Sequence, residues 1–585
     1  MRKKDVPIVA QSTETTDWVS RYADEVIEES ERRAPGKPVV VASGLSPSGP
    51  IHLGNLREVM TPHLVADEIR RRGHTVRHLI SWDDYDRYRK VPAGVAGIDE
   101  SWAEHIGKPL TSVPAPKGSE YPNWAEHFKA AMTKALAELG VEYDGISQTA
   151  QYTSGAYREQ VLFAMKHRGD IDAVLEQYRT RKAPVKKQGQ KPVDEAELEA
   201  AEGSGAADED DGSGSGAGYF PYKPYCGQCE KDLTTVTSYD DETTELAYTC
   251  TACGYSETVR LSEFNRGKLV WKVDWPMRWA YEGVVFEPSG VDHSSPGSSF
   301  QVGGQIVGIF GGKQPIGPMY AFVGISGMAK MSSSKGGVPT PADALQIMEP
   351  QLLRWLYARR RPNQSFKIAF DQEIQRLYDE WDKLAGKVTD GSVLPADAAA
   401  YARAVGTAAG ELPKTPRPMP YRTLASVADI TAGAEDQTLR ILSELDPENP
   451  LGSLDEVRPR LDKAETWINT QVPAEERTVV RDEPDVELLK SLDDQGRESL
   501  RLLVDGLDEN WSLDGLTHLV YGVPKVQAGF PADATAKELP PEIKVAQRTF
   551  FALLYHLLVG RDTGPRLPTL LLAVGQERVR KLLGA

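Results

Sequence analysis

What this chain lacks narrows its class first. It has only four cysteines in 585 residues, all inside one short stretch, so the rest of the fold carries no crosslinks. No run of about 18 apolar residues occurs, which argues against a membrane-spanning helix. The N-terminus, MRKKDVPIVAQSTETTDW, starts basic but continues without an apolar segment, so no export signal is read there. Positive charge is also short: 68 Lys and Arg against 85 Asp and Glu leave a formal −17. That balance disfavours a DNA-coating or membrane-surface protein, although a local basic groove remains compatible. No internal repeat is visible. These absences predict a soluble, unexported, cytosolic protein. What is present, 40% hydrophobic and 26% charged residues, is a globular composition, and the length suggests about four domains.

The cysteines fall as Cys226 and Cys229 in CGQC, then Cys250 and Cys253 in CTAC. Two CxxC turns separated by twenty residues have the spacing of a closed tetrahedral zinc site, with strand-like text (LTTVTSYDDETTELAYT) between them. Four thiolates leave no open position for water, so the metal is read as structural. Two disulfides are the alternative, disfavoured in a cytosolic chain.

Residues 17 to 33 have helical periodicity, and VVVASG, from Val39 to Gly44, is a short β-branched run of the buried parallel kind. It feeds the turn LSPSGP, a helix from about His52, and a second strand, TVRHLISW, which ends in the acidic loop DDYDRYRKVP. Strand, loop, helix, strand is the opening unit of a doubly wound α/β sheet, in which ligands sit at the carboxyl ends of the strands. Residues 120 to 180 read as helices, and 183 to 218, rich in Gly, Ser and acidic residues, as a disordered insertion. Sheet-like text returns from about 263 to 340 (GKLVWKVDW, GVVFEPSGVDH, MYAFVGISG), and everything from about 343 onward reads as helical.

Two segments suit phosphate chemistry. SGLSPSGPIHLGN puts a turn of small residues before a helix start, where His52 would donate toward a phosphate oxygen and Asn55 could reach the same ligand. GISGMAKMSSSKGG places Lys330 and Lys335 around three serines in a glycine-flanked loop suited to wrapping a triphosphate.

This pairing resembles the two signature motifs of class I aminoacyl-tRNA synthetases, with HLGN for HIGH and KMSSS for KMSKS. More narrowly the chain is similar to the class I lysyl-tRNA synthetases, through SGLSPSGPIHLGNLRE, ISWDDYDRYRKVP, WKVDWPMRWAYEGVVFEPSGVDH and FFALLYHLLVGRDTGPRLPTLL. The second His of HIGH is Asn55 here, and the second Lys of KMSKS is Ser333, so charge stabilisation falls to Lys330, with Lys335 as a possible substitute. The resemblance implies a Rossmann-like catalytic domain with a zinc-ribbon insertion and an all-helical C-terminal region. The implied segments are 1–150 and 263–342 for the catalytic halves and 151–262 for the insertion, its ribbon at 219–260. A helical connecting domain follows at 343–415, then an anticodon-binding region at 416–585.

It also implies ATP-dependent activation of lysine to lysyl-adenylate and transfer to the 3′-terminal adenosine of tRNA(Lys), with Mg²⁺ on the phosphates, by a cytoplasmic monomer. His52, Asn55 and Lys330 would be catalytic; Gly54, Asp292, Ser332, Ser333 and Lys335 would join them around ATP. Lysine would meet Gly44, Ser46, Asp83, His293, Tyr320 and either Trp271 or Trp275. In LLRWLYARRRPNQSFKIAF, the residues Arg354, Arg359, Arg360, Arg361 and Lys367 form a candidate face for RNA phosphates. Three rivals are a non-tRNA adenylyltransferase of the same fold, a silent tRNA-binding paralogue, and glutamate specificity. The first would need neither a zinc ribbon nor a helical tail, intact His52 and Lys330 disfavour the second, and an acidic substrate would want a basic pocket.

Overall fold

The computed structural model describes residues 17–179, 218–291, 298–326, 337–535 and 539–585. Helix α1 (Trp18–Arg33) begins where the Asp17 carboxylate accepts the Ser20 N–H, satisfying one of the free donors of the first turn. The chain then enters the sheet at its centre as β1 (Val39–Leu45), crosses over through α2 (Leu53–Arg71), and returns as β2 (Val76–Trp82). Their pairing is parallel throughout, from Val39 opposite Val76 to Leu45 opposite Trp82. After α3 (Trp124–Glu138), β3 (Asp144–Ser147) adds in parallel outside β2. On the other side of β1, Val41 bridges in parallel to Phe286, and Phe286 to Ile316.

The order is therefore the segment at Ile316, the segment at Phe286, β1, β2, β3. The chain winds outward to one edge and then restarts beside β1. That reversal opens a crevice between the carboxyl ends of β1 and the Phe286 segment, the place where such sheets hold ligands. Both faces of β1 are covered: Val39 to Ala42 are all buried, which a sheet achieves only with layers above and below. One layer includes the helix Trp271–Glu282, whose Trp275 and Trp279 pack with Val40, Ala42 and Leu79.

Three sequence expectations are corrected here. WKVDW, read as sheet-like, opens the helix Trp271–Glu282: its tryptophans recur every fourth residue, Trp271 stacking on Trp275 with ring centroids 5.1 Å apart, and period four is helical. The helical reading of 120–180 missed β3, which is only four residues long. The region after 343 is not wholly helical. Phe366–Ile368 is a strand parallel to Val323–Ile325, and Gly406–Thr407 pairs with Gly410–Glu411 in a short hairpin.

Of the insertion, residues 180–217 lie outside the described residues. The described chain resumes with β4 (Tyr222–Pro224), then a three-stranded antiparallel sheet of β5 (Thr234–Tyr239), β6 (Glu245–Cys250) and β7 (Ser256–Arg260), and finally β8 (Gly267–Leu269), which pairs back on β4. By contacts the chain divides into two compact units. The first takes 1–345, 350–368 and 384–412; the second takes 346–349, 369–383 and 413–585. Inside the second, Tyr378 stacks on Tyr421 at 4.1 Å and Arg460 pairs with Glu349 at 2.7 Å and Asp382 at 2.9 Å. Among the described residues no helix is long and apolar enough to cross a membrane.

Within the first unit a buried guanidinium overturns another expectation. Arg354, proposed for RNA, is 0% exposed. It donates to the carbonyls of Leu139 (2.7 Å) and Arg403 (2.7 Å) and to His63 Nε2 (2.9 Å), so it cannot meet a phosphate. Its place on the inner face of Pro350–Ala358 decides this, since every residue of that helix is buried. Arg403 in turn holds Asp17 and Glu68, tying the starts of the fold together. Arg354→Met should leave buried carbonyls without donors and cost about 3 kcal/mol of stability. The check is a thermal or urea melt: a clear fall in stability is expected, whereas unchanged stability with weakened RNA binding would restore the RNA role.

Candidate active site

The crevice predicted by the strand order is a cavity of about 510 Å³. Its wall brings together His52, Asn55, Gly44, Ser46, Asp83, Trp271, Trp275 and Tyr320, all singled out from sequence. Gly54 stands behind the wall, with its N–H given to His52. Asp292, His293, Lys330, Ser332, Ser333 and Lys335 lie outside the described residues.

His52 caps α2. Its Nδ1 accepts the Gly54 N–H at 3.1 Å, so Nδ1 carries no proton, and in the neutral ring the proton sits on Nε2. Burial lowers its pKa to about 4, so the ring is neutral at pH 7. It presents an N–H donor beside the positive end of a helix, an arrangement that suits an anionic oxygen.

The floor is acidic, and sequence reasoning missed most of it. Glu58 lies one turn beyond Asn55 and accepts from the Tyr320 hydroxyl and the Gly44 backbone. Its pKa is pushed up to about 8, by burial first and then by Glu287 and Asp83. Glu287, 6% exposed, follows the Phe286 segment and accepts both indole N–H groups, Trp275 at 3.1 Å and Trp279 at 2.6 Å. Burial lifts it to about 7 against the pull of those bonds. Asp83, at the end of β2, is raised to about 6 by burial while Arg278, 2.6 Å away, pulls it down. Around this floor Glu58, Glu287, Asp83, Asp86 and Asp274 face the buried Arg278 and the half-buried Lys268, with Arg89 also near Asp86. The surplus is negative and largely dry, so a cationic ligand would relieve it.

Signals for the missed groups existed. His52, Asn55 and Glu58 recur every third residue on one helix face, and Glu287 is the acidic end of an apolar strand, VVFE. The same cavity is also lined by Arg87, Arg89, Lys90 and Lys223, and Arg89 and Lys90 are exposed, a basic mouth over an acidic floor.

Of the remaining RNA candidates, Arg359 stacks on Trp355 with its guanidinium 3.9 Å from the ring centre, and Arg360, Arg361 and Lys367 are exposed. Lys367 pairs in register with Gly324, on the strand Val323–Ile325.

The four cysteines form a second cluster. Their sulfurs all lie within 4.8 Å of one another, Cys226 to Cys253 at 3.7 Å and Cys229 to Cys250 at 3.6 Å. Those separations exceed a disulfide bond of about 2.05 Å and match the edge, about 3.8 Å, of a tetrahedron with metal–sulfur arms of about 2.3 Å.

A sheet with its crevice at this switch point and a helix capped by the His of HLGN have the arrangement of a class I tRNA synthetase. The family described as tRNA synthetases class I (K) matches residues 16–410, and the chain belongs to it. It is 87% identical over 580 residues to a lysine–tRNA ligase of Streptomyces coelicolor, covering 99% of this chain and all of that one. A lysine–tRNA ligase of Thermococcus kodakarensis is 32% identical over 97% of this chain and 99% of its own length. One from Borreliella burgdorferi is 29% identical with the same coverage.

Because the folded chain holds Glu58 at about 8 and the ordinary value is 4.5, folding favours its protonated form. Stability is therefore lost as pH rises between those values, and the loss is complete above the higher one. Glu58→Gln should stabilise the ligand-free protein by about 1–2 kcal/mol at pH 9 and by less at pH 6. Paired thermal melts test this; an equal gain at both values, or a loss, contradicts it.

Proposed function

We propose that the chain is a lysine–tRNA ligase. It joins the carboxylate of lysine to the α-phosphate of ATP, releasing pyrophosphate, and then passes the lysyl group from the adenylate to the terminal adenosine of tRNA(Lys). The observation that carries this reading is the excess of buried carboxylate in a cavity that also holds a neutral helix-capping histidine. An acidic amino acid would meet repulsion from Glu58 and Glu287 there, whereas lysine brings the missing positive charge. Membership of the class I (K) family and the name shared by its relatives support the same substrate.

In this reading Asp83 receives the α-ammonium, and Glu58 and Glu287 receive the side-chain ammonium as it displaces their proton. Gly44 and Ser46 line the backbone of the substrate, with Tyr320, His293 and the aromatic face of Trp271 or Trp275 closing around it. His52 Nε2–H and Asn55 meet the phosphates. Lys330, with Lys335 as its substitute, would follow the triphosphate with Ser332, Ser333 and Asp292, and Mg²⁺ bound with ATP would supply further positive charge for its phosphates. No side-chain nucleophile is needed, because position and preorganised charge lower the barrier.

The tetrahedral sulfur spacing supports a structural Zn²⁺ on Cys226, Cys229, Cys250 and Cys253, which would fasten β5 and β6 at their ends. Arg359, Arg360, Arg361 and Lys367 remain the proposed phosphate contacts, and the helical region 416–585 the proposed anticodon reader. The work would take place in the cytoplasm. The chain is proposed to act as a monomer.

Charging assays with each amino acid, and pyrophosphate exchange with and without tRNA, test the reading. Lysine alone should be charged, exchange should need tRNA, and His52→Ala should slow activation about 10²-fold. Charging of glutamate, or of no amino acid, would overturn the assignment.

A further inference from the structure

The strand that closes the cysteine-bearing insertion also reaches into the amino-acid cavity. Lys268 on β8 lies opposite Lys223 on β4, the strand that leads into Cys226. Its side chain is 13% exposed, and its ammonium pairs with Asp86 and lies 3.7 Å from Asp274. Asp274, fully buried, accepts from Arg278 and from the Tyr152 hydroxyl, which itself accepts the Leu269 N–H of β8 at 3.2 Å. Arg278 then reaches Asp83 at 2.6 Å and Ser81 at 3.0 Å, and Gln148 donates to the same Ser81 hydroxyl at 2.7 Å. The insertion touches the loop after β2 a second time, where the Tyr225 hydroxyl donates to the Tyr85 carbonyl and the Asp232 N–H to Gly107 at 2.8 Å.

We propose that Lys268 is a positioning residue of the amino-acid site, through which the cysteine-bearing insertion sets the direction of Asp83. The proposal deepens the lysine reading above and rests on it. Two cations hold three carboxylates in one ladder: Lys268 takes Asp86 and shares Asp274, which leaves Arg278 free to hold Asp83. Burial pushes the Asp86 carboxyl up, yet the Lys268 charge outweighs it and holds the group below its ordinary range, so Asp86 is ionised. Without Lys268, Asp86 would keep only the charges of Arg89 and Arg278, and Asp274 would rest on Arg278 alone. Asp274 and Asp86 would then both draw on the donor that fixes Asp83. The asymmetry of the ladder points to one substrate: Asp83 faces the amino acid, while His52 and Asn55 belong to a different wall.

Steady-state charging by the full chain tests this with Lys268→Gln, Lys268→Arg and the double variant Lys268→Met with Asp86→Asn. Lys268→Gln should raise the KM for lysine about tenfold or more with the KM for ATP changed less than about twofold, and Lys268→Arg should recover most of the loss. The double variant removes the unpaired Asp86 charge and so should fold even where Lys268→Gln does not, yet its KM for lysine should stay high, because Asp274, no longer shared with Lys268, still draws Arg278 away from Asp83. A lowered melting temperature with an unchanged KM for lysine would make Lys268 merely structural and overturn the proposal. A double variant with the wild-type KM would also overturn it, by reducing Lys268 to a counter-ion of Asp86. If the wild-type chain charges no lysine, it is the function that fails, and the two failures are told apart.

Discussion

Carboxylates taken out of water in excess of the cations beside them are the constraint on which the catalytic unit is built. Each such group is costly unless paired or protonated, and the cavity floor accepts the cost at Glu58 and Glu287, raised to about 8 and about 7. Much of the surrounding structure manages that charge. Trp275 and Trp279 direct both indole N–H groups at Glu287, and Arg278 and Lys268 occupy Asp83, Asp86 and Asp274, so Glu58 and Glu287 are the floor carboxylates that neither cation pairs with. The site is thus less stable than it could be, and the deficit is what favours a cation.

The sheet determines where this happens. Because the chain restarts beside β1 after reaching β3, the ends of β1 and of the Phe286 segment are left without a crossover between them. The start of α2 opens on the same crevice with His52 as cap. A neutral donor and a helix terminus share the cavity with carboxylates, so an anion and a cation can be held in the same crevice.

How much of this was legible in the sequence depends on the range of the interaction. Local patterns were: the β-branched run at Val39, the cap at His52, the CxxC pairs, and the eight cavity residues that motif and resemblance single out. Interactions between distant segments were not. Arg354 sits in an arginine-rich text that looks like an RNA face, but its partners are at Leu139 and Arg403, and only the fold shows that it points inward. Arg278 and Lys268 had no periodic signal, since their roles come from Asp83 and Asp86, nearly two hundred residues earlier. Trp271, Trp275 and Trp279 did carry a helical period, and the β-like composition around them outweighed it in the sequence reading. The net charge of −17 similarly says nothing of Arg89 and Lys90 at the cavity mouth.

The account stands or falls on whether the substrate cation replaces a proton in the floor. Calorimetric titration of the full chain with lysine, in two buffers of different ionisation enthalpy at the same pH near 7, measures that exchange directly. Lysine binding should release a proton, because an arriving ammonium favours the ionised form of Glu58 and Glu287. Binding with no proton exchange, or with proton uptake, would contradict it.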